Sequence, residues 1–423
     1  MAIGRSKITV VGAGNVGASV AMWITEEELG DVVLVDIIEG AAKGKALDLL
    51  EAGPVNKFDI HITGSGRYEE TANSDVVVIT AGVPRKKDPV TGKFPSRDEL
   101  VKINQEIVGS VAREVAKYSP NAVVIVVSNP LDAMCHVVLN ETGFPSNRVI
   151  GMAGALDTAR YKTFIAEALG VSVRDVHGIV LGGHGDEMVP LPRHTSIAGI
   201  PVREPLAEDK LQAIIERTRK GGGEIVGLLG YSGYYAPAAG VVEMVAAIVK
   251  DQKRIIPSAV LLSGQYGYSD LYIGVPAVLG SAGVEKVIEM QLDDTEKAML
   301  DKSAQGSRRR GERARLLAGV PNEGQKRVDL LNPKITEDTG AARWAAPLRK
   351  ASPLIARPTP RRGRKQGRTH GSRRRLCSAR AERTPSAHCP RTVHLNTFFA
   401  PIARATPPPS RRRRRRSAPA HLG

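Results

Sequence analysis

The stretch Gly12-Ala13-Gly14-Asn15-Val16-Gly17 limits the folds open to this chain more than any other part of it. It follows the β-branched run Lys7–Val11 and opens a helical pattern over residues 15–28. A strand that ends in GxGxxG and turns straight into a helix points to a dinucleotide-binding βαβ unit. The glycines permit a tight turn and let backbone approach a pyrophosphate, while the helix start offers N–H groups and the positive end of its dipole. Asp36 ends the next β-branched run, 24 residues after Gly12. Its carboxylate can accept from both hydroxyls of a ribose and repels a 2′-phosphate, so the pattern predicts NAD rather than NADP. Three glycines at this spacing are a weak signal by themselves, and a plain turn beside a surface aspartate gives the same letters. The setting between strand and helix decides for the dinucleotide.

The rest of the first half keeps the same alternation. β-branched runs at residues 32–36, 59–63, 75–80 and 122–128 are separated by helical patterns at 41–51 and 97–118. This predicts an α/β fold with a parallel sheet and crossover helices, an N-terminal Rossmann domain over residues 1–150. From about residue 150 the pattern is mixed, with helices expected at 154–168, 207–229 and 237–249. Strands are expected near 176–181, 255–262 and 271–277, and a last helix from Asp293 or Asp294 through Lys302. We read residues 151–304 as an α+β substrate domain.

Charge separates the remainder. The chain of 423 residues has a formal net charge of +16, which at face value suggests a nucleic-acid partner. Residues 305–423 hold 30 basic against 6 acidic residues, net +24, so residues 1–304 carry net −8. The basic residues also change kind, from 17 Lys and 13 Arg before residue 305 to 4 Lys and 26 Arg after it. The last segment holds 13 of the 27 prolines and the run Arg411 to Arg416, a composition that predicts a disordered tail. We read it as out-of-frame translation of GC-rich DNA, ahead of a phosphate-neutralising arm that binds nucleic acid and ahead of a plain solvated extension. Of the three cysteines only Cys135 precedes the tail, which excludes a disulfide framework and a CxxC metal site and suits a reducing, cytoplasmic setting. No apolar run reaches the ~18 residues of a membrane span.

Seven motifs then occur in order: GAGNVG, ITAGVPRK, SRDEL, VSNPLD, LDTAR, GGHGDEMVP and YYAPA. On these, residues 4–304 resemble the lactate/malate dehydrogenase family, in its lactate-dehydrogenase-like bacterial branch of malate dehydrogenases. Without the resemblance, His184 among its glycines reads as a core or turn histidine, and Asp157 with Arg160 as an ordinary i,i+3 pair. The resemblance implies that His184 is the general base and acid in hydride transfer between malate and NAD, a role an imidazole can play in both directions. It implies that Asp157 binds the His184 ring and that Arg160 holds the substrate C1 carboxylate in a two-pronged pair. It further implies that Arg97 polarises the substrate carbonyl and that Arg85 selects a second substrate carboxylate, where Gln would go with lactate. Gly233 leaves room over the substrate side chain. Asn129, with Val127 and Ser128, is implied at the substrate and nicotinamide, and Asn104 at the cofactor.

The segment between Arg85 and Arg97, eleven residues from Lys86 to Ser96, is longer than the family's common form and brings Lys86 and Lys87 into competition with Arg85. Such lids exclude water and often limit turnover. The resemblance therefore implies an NAD-dependent malate dehydrogenase of the citric acid cycle, in a family that forms homodimers and homotetramers, with no membrane partner.

Overall fold

A computed structural model describes residues 5–84 and 97–317. The first half is β1 (Lys7–Val11), α1 (Asn15–Glu26), β2 (Asp31–Val35), α2 (Glu39–Asn56), β3 (Ile62–Ser65), β4 (Val76–Ile79), α3 (Arg97–Tyr118), β5 (Val123–Val126), α4 (Leu131–Thr142) and β6 (Val149–Gly151). These strands pair in parallel in the order β3-β2-β1-β4-β5-β6, the doubly wound arrangement of a Rossmann fold. Every residue of β4 and β5 is buried, because helices cover both faces and a β-branched side chain packs on either. The strand order reverses between β1 and β4, and a crevice opens there at the carboxyl ends of the strands.

The second half begins with α5 (Gly154–Leu169). Five two-residue strands follow: β7 (Val176–His177), β8 (Val180–Leu181), β9 (Val189–Pro190), β10 (Ser196–Ile197) and β11 (Ile200–Pro201). Then come α6 (Glu208–Leu229), α7 (Tyr235–Val249), β12 (Arg254–Ser263), β13 (Ser269–Gly280), β14 (Gly283–Val287) and α8 (Asp294–Leu317). The antiparallel β12, β13 and β14 join the parallel strands through Ala259 opposite Gly151, so nine strands form one sheet. One apolar cluster runs across the join, from Ile8 and Ile150 to Val245, Ile273 and Leu300. No helix among the described residues is long and apolar enough to cross a membrane.

Three differences from the sequence reading stand out. The expected strand at 176–181 is broken into β7 and β8. Helix α4 and strand β6 were not anticipated, since α4 is buried nearly all round and shows no amphipathic stripe. Helix α8 does not stop at Lys302 but continues to Leu317, so the expected boundary at residue 304 falls inside it. Its buried positions are Glu296, Leu300, Ser303, Ala304, Gly306, Ser307, Gly311 and Ala314, which recur every three or four residues along one helix face. The stripe consists mostly of small or polar residues, so an Arg-rich background hid it. The tail beyond residue 317 lies outside the described residues.

Candidate active site

The glycine loop is shaped by close packing on one side and open space on the other. Gly12 has φ +104°, and a Cβ there would lie 2.7 Å from Thr80 Oγ1. A Cβ on Gly17 would lie 1.8 Å from the Gly12 carbonyl oxygen. Gly14, in contrast, has no atom within 4 Å of its Cβ position, and it caps α1, whose first turn holds no acidic residue. The exposed face of this loop is therefore a cradle with uncompensated positive dipole, suited to a pyrophosphate. The Asp36 carboxylate accepts from the Ala13 N–H at 2.7 Å and from the Ile38 N–H at 2.9 Å, which fixes it at the rim of the loop. Lys45, unremarked in the sequence, donates to the Ala13 carbonyl at 2.6 Å and brings a cation beside the same loop.

A cavity of about 860 Å³ opens from this crevice towards the second half. Val16, Val127 and Asn129 line it from the first half, and Arg160, His184 and Gly233 from the second. Ser128, at the end of β5, donates to the Ala81 carbonyl at 2.5 Å and ties the ends of β4 and β5 together. Asn104 is buried. Its amide group donates to the Asn129 carbonyl at 2.6 Å and the Val83 carbonyl at 3.1 Å, and its oxygen accepts from the Val83 N–H at 2.7 Å. Asn104 thus holds both walls of the crevice through their backbones.

The centre of the cavity is a shared carboxylate. Asp157 sits in the first turn of α5 with its side chain 2% exposed. Its Oδ2 accepts from His184 Nδ1 at 3.0 Å, and its Oδ1 accepts from Arg160 Nη1 at 3.2 Å. Because a carboxylate only accepts, Nδ1 carries the proton and Nε2 is the ring nitrogen left for a ligand. Asp157 raises the proton affinity of His184 above the ordinary imidazole range, the charge outweighing burial. Burial lowers the Arg160 guanidinium, which nonetheless remains cationic. Its Nε is buried with no hydrogen-bond partner among the described residues, leaving donor capacity for an anion. Gly221 and Gly222 of α6 make room for this side chain, a Cβ on Gly221 lying 3.2 Å from Arg160 Cδ. A Cβ on Gly233 would lie 3.2 Å from the Ile225 side chain, so a larger residue there requires Ile225 to shift.

Two expected residues are not part of this geometry. Arg85 and the segment up to Ser96 lie outside the described residues, as does the side chain of Arg97, whose backbone starts α3. A second polar cluster was missed altogether in the sequence. Asp132 of α4, Glu187 of the His184 loop, and Ser307 and Arg310 of α8 meet at one edge of the cavity. Asp132 and Glu187 lie within the quoted motifs VSNPLD and GGHGDEMVP, but nothing in their spacing announces a partner more than a hundred residues away.

Comparison with known proteins gives the following. The family model for the lactate/malate dehydrogenase NAD binding domain matches residues 6–151, and that for the alpha/beta C-terminal domain matches residues 154–310. A malate dehydrogenase from Bacillus israeli is 56% identical over 311 residues, covering 73% of this chain and 98% of that protein. One from Geobacillus kaustophilus is 57% identical over 308 residues, covering 72% of this chain and 97% of that protein. Among solved structures, malate dehydrogenase from Salinibacter ruber superimposes with a TM-score of 0.70 at 48% identity, covering 75% of this chain and 99% of that one. Lactate dehydrogenase from Cryptosporidium parvum, complexed with lactic acid and nicotinamide adenine dinucleotide, also gives a TM-score of 0.70, at 37% identity, with 75% of this chain and 100% of that one covered.

Proposed function

The chain belongs to the lactate/malate dehydrogenase family, and from that premise we propose that it interconverts malate and oxaloacetate with NAD, using His184 and Asp157 as the proton-transfer pair. The observation that carries this reading is the Asp157 carboxylate shared between His184 and Arg160 at the wall of one cavity. NAD, when bound, supplies the hydride acceptor. Its pyrophosphate suits the Gly12–Gly17 cradle, and Asp36 suits the adenosine ribose and disfavours a 2′-phosphate.

In malate oxidation the C2–H hydride departs, the C2–O double bond forms, and the hydroxyl proton goes to His184 Nε2. The negative Asp157 stabilises the imidazolium so formed and keeps Nδ1 protonated, so only Nε2 can act as the base. Arg160 takes the C1 carboxylate through its planar fork. Arg85 takes the distal carboxylate and Arg97 polarises the carbonyl in the reverse direction. A dicarboxylate thus meets a cation at each end, whereas a methyl group would leave Arg85 unpaired in a closed site. On this reading the enzyme takes the malate–oxaloacetate step of the citric acid cycle in the cytoplasm. The exposed apolar side chains Leu228, Leu229 and Tyr235 support self-association as a homodimer or homotetramer.

The test is His184→Asn. Turnover is expected to fall by about 10³-fold or more while NAD affinity, read by calorimetry, stays within about threefold of the parent. A variant with full activity refutes the assignment.

A further inference from the structure

We propose that Arg310 of α8 is a positioning residue for His184, clamping the loop that carries the histidine to the start of α4 across the edge of the cavity. The proposal rests on the reading of His184 as the proton-transfer group. Arg310 Nη1 donates to Glu187 Oε2 at 2.8 Å, three residues along the chain from His184. Its Nη2 donates to Asp132 Oδ2 at 3.2 Å and to Ser307 Oγ at 3.1 Å, and the Ser307 hydroxyl donates to the same Asp132 oxygen at 2.6 Å. On the other side of His184, the Gly183 N–H donates to Ser303 Oγ at 2.8 Å. Both flanks of the histidine are therefore fastened to one helix, Ser303 holding Gly183 and Arg310, about two turns further along, holding Glu187.

The packing leaves little slack. A Cβ on Gly306 would lie 2.1 Å from Glu187 Oε2, and one on Gly183 would lie 2.7 Å from Ser307 Oγ and 2.9 Å from Arg310 Nη2. Small residues at both positions let helix and loop meet at backbone distance. Arg310 is itself a wall of the cavity, yet two carboxylates face its single charge, so it has no spare cation to offer a substrate. Its task is to hold. It also bears on Asp132: burial pushes that carboxyl up, and Arg310 is the strongest influence pulling it back. Asp132 in turn supports the proton on His184, after Asp157. The charged groups that act on His184 are Asp157 and Arg160 from α5 and Asp132 from α4, while Arg310 from α8 and Asp186 and Glu187 from its own loop line the same cavity. Removal of Arg310 takes away the strongest influence holding the Asp132 carboxyl down, so burial pushes that carboxyl further up and it lends less negative charge to His184.

The experiment compares the full chain with Arg310→Met, Arg310→Lys and His184→Asn. Arg310→Met is expected to lower kcat about tenfold with KM for NAD unchanged, because a displaced proton carrier costs rate rather than cofactor binding. The acid limb of kcat/KM for malate oxidation should move to lower pH, and Arg310→Lys should restore most of both. Where Arg310→Met does not fold, Arg310→Gln carries the same comparison. Parental kcat and an unmoved acid limb in Arg310→Met overturn the proposal. Equal losses of kcat, NAD binding and thermal midpoint without rescue by Lys also overturn it, in favour of a merely structural contact. Turnover surviving in His184→Asn shows instead that the underlying reading of the histidine has failed.

Discussion

Replacing Asp157 by Asn removes one charge and almost no volume from a site where both carboxylate oxygens are committed. Oδ2 serves His184 and Oδ1 serves Arg160, and the side chain is 2% exposed, so solvent cannot fill in. An amide has one oxygen and one NH₂, and the NH₂ must confront either the Nδ1–H of His184 or the guanidinium of Arg160. If it faces His184, the ring turns to the tautomer that presents Nδ1 as acceptor, and Nε2 carries the proton when it should be free. If it faces Arg160, a buried cation loses its partner. Removing one member of a buried charge pair costs about 3–5 kcal/mol. That is a cost in folding stability; in rate, a His–carboxylate pair left with the wrong tautomer loses up to about 10⁴-fold in kcat. The assay is oxaloacetate reduction followed by NADH absorbance across pH.

Reduction needs the imidazolium, and Asp157 holds His184 protonated beyond the ordinary value near 6.5, so the ratio of parent to variant should widen as pH rises. Stability runs in the opposite sense. A histidine whose folded pKa is raised contributes fully below its unfolded value and loses that contribution as pH climbs through the folded one. The midpoint difference between parent and variant should thus be larger in weak acid than in alkali. A loss of kcat/KM below about tenfold, with no change in the pH profile, would refute the pairing as the centre of the chemistry.

Two further expectations follow from other parts of the molecule. Arg85→Gln should shift preference from oxaloacetate towards pyruvate in a two-substrate assay, and an unchanged ratio would move the selecting role to Lys86 or Lys87. A chain ending at residue 304 loses Ser307, Arg310 and Ala314 from the buried face of α8 and strands Asp132. Its thermal midpoint should lie about 6–10 °C below that of a chain ending at 317, and equal midpoints would contradict the packing described for α8.

The parallel sheet was legible because its signals are local. β-branched runs and a glycine turn within a few residues fix β1, α1 and β2, and the helix over 97–118 appears with those limits. Asp157 and Arg160 lie three apart, so their common side of α5 could be read directly. The second half of α8 could not be read that way. Its buried face is built from Ser303, Ala304, Ser307 and Gly311, residues that carry no hydrophobic stripe, and its partners Asp132 and Glu187 lie 178 and 123 residues from Arg310. A charge census assigned that stretch to the tail, whereas burial assigns it to the folded body. Asn104 shows a third kind of limit: the resemblance implies a cofactor contact there, but only the structure gives its hydrogen bonds to the backbones of Val83 and Asn129.

The join at Ala259 and Gly151 has a thermodynamic consequence. With nine strands in one sheet and one apolar cluster crossing from Ile8 to Leu300, pulling the halves apart wets both at once. The halves are then a single cooperative unit, and heat or denaturant should carry them through one transition together. Robustness in the antiparallel strands is thereby lent to the glycine loop after β1, and a flaw in either half is felt by the other.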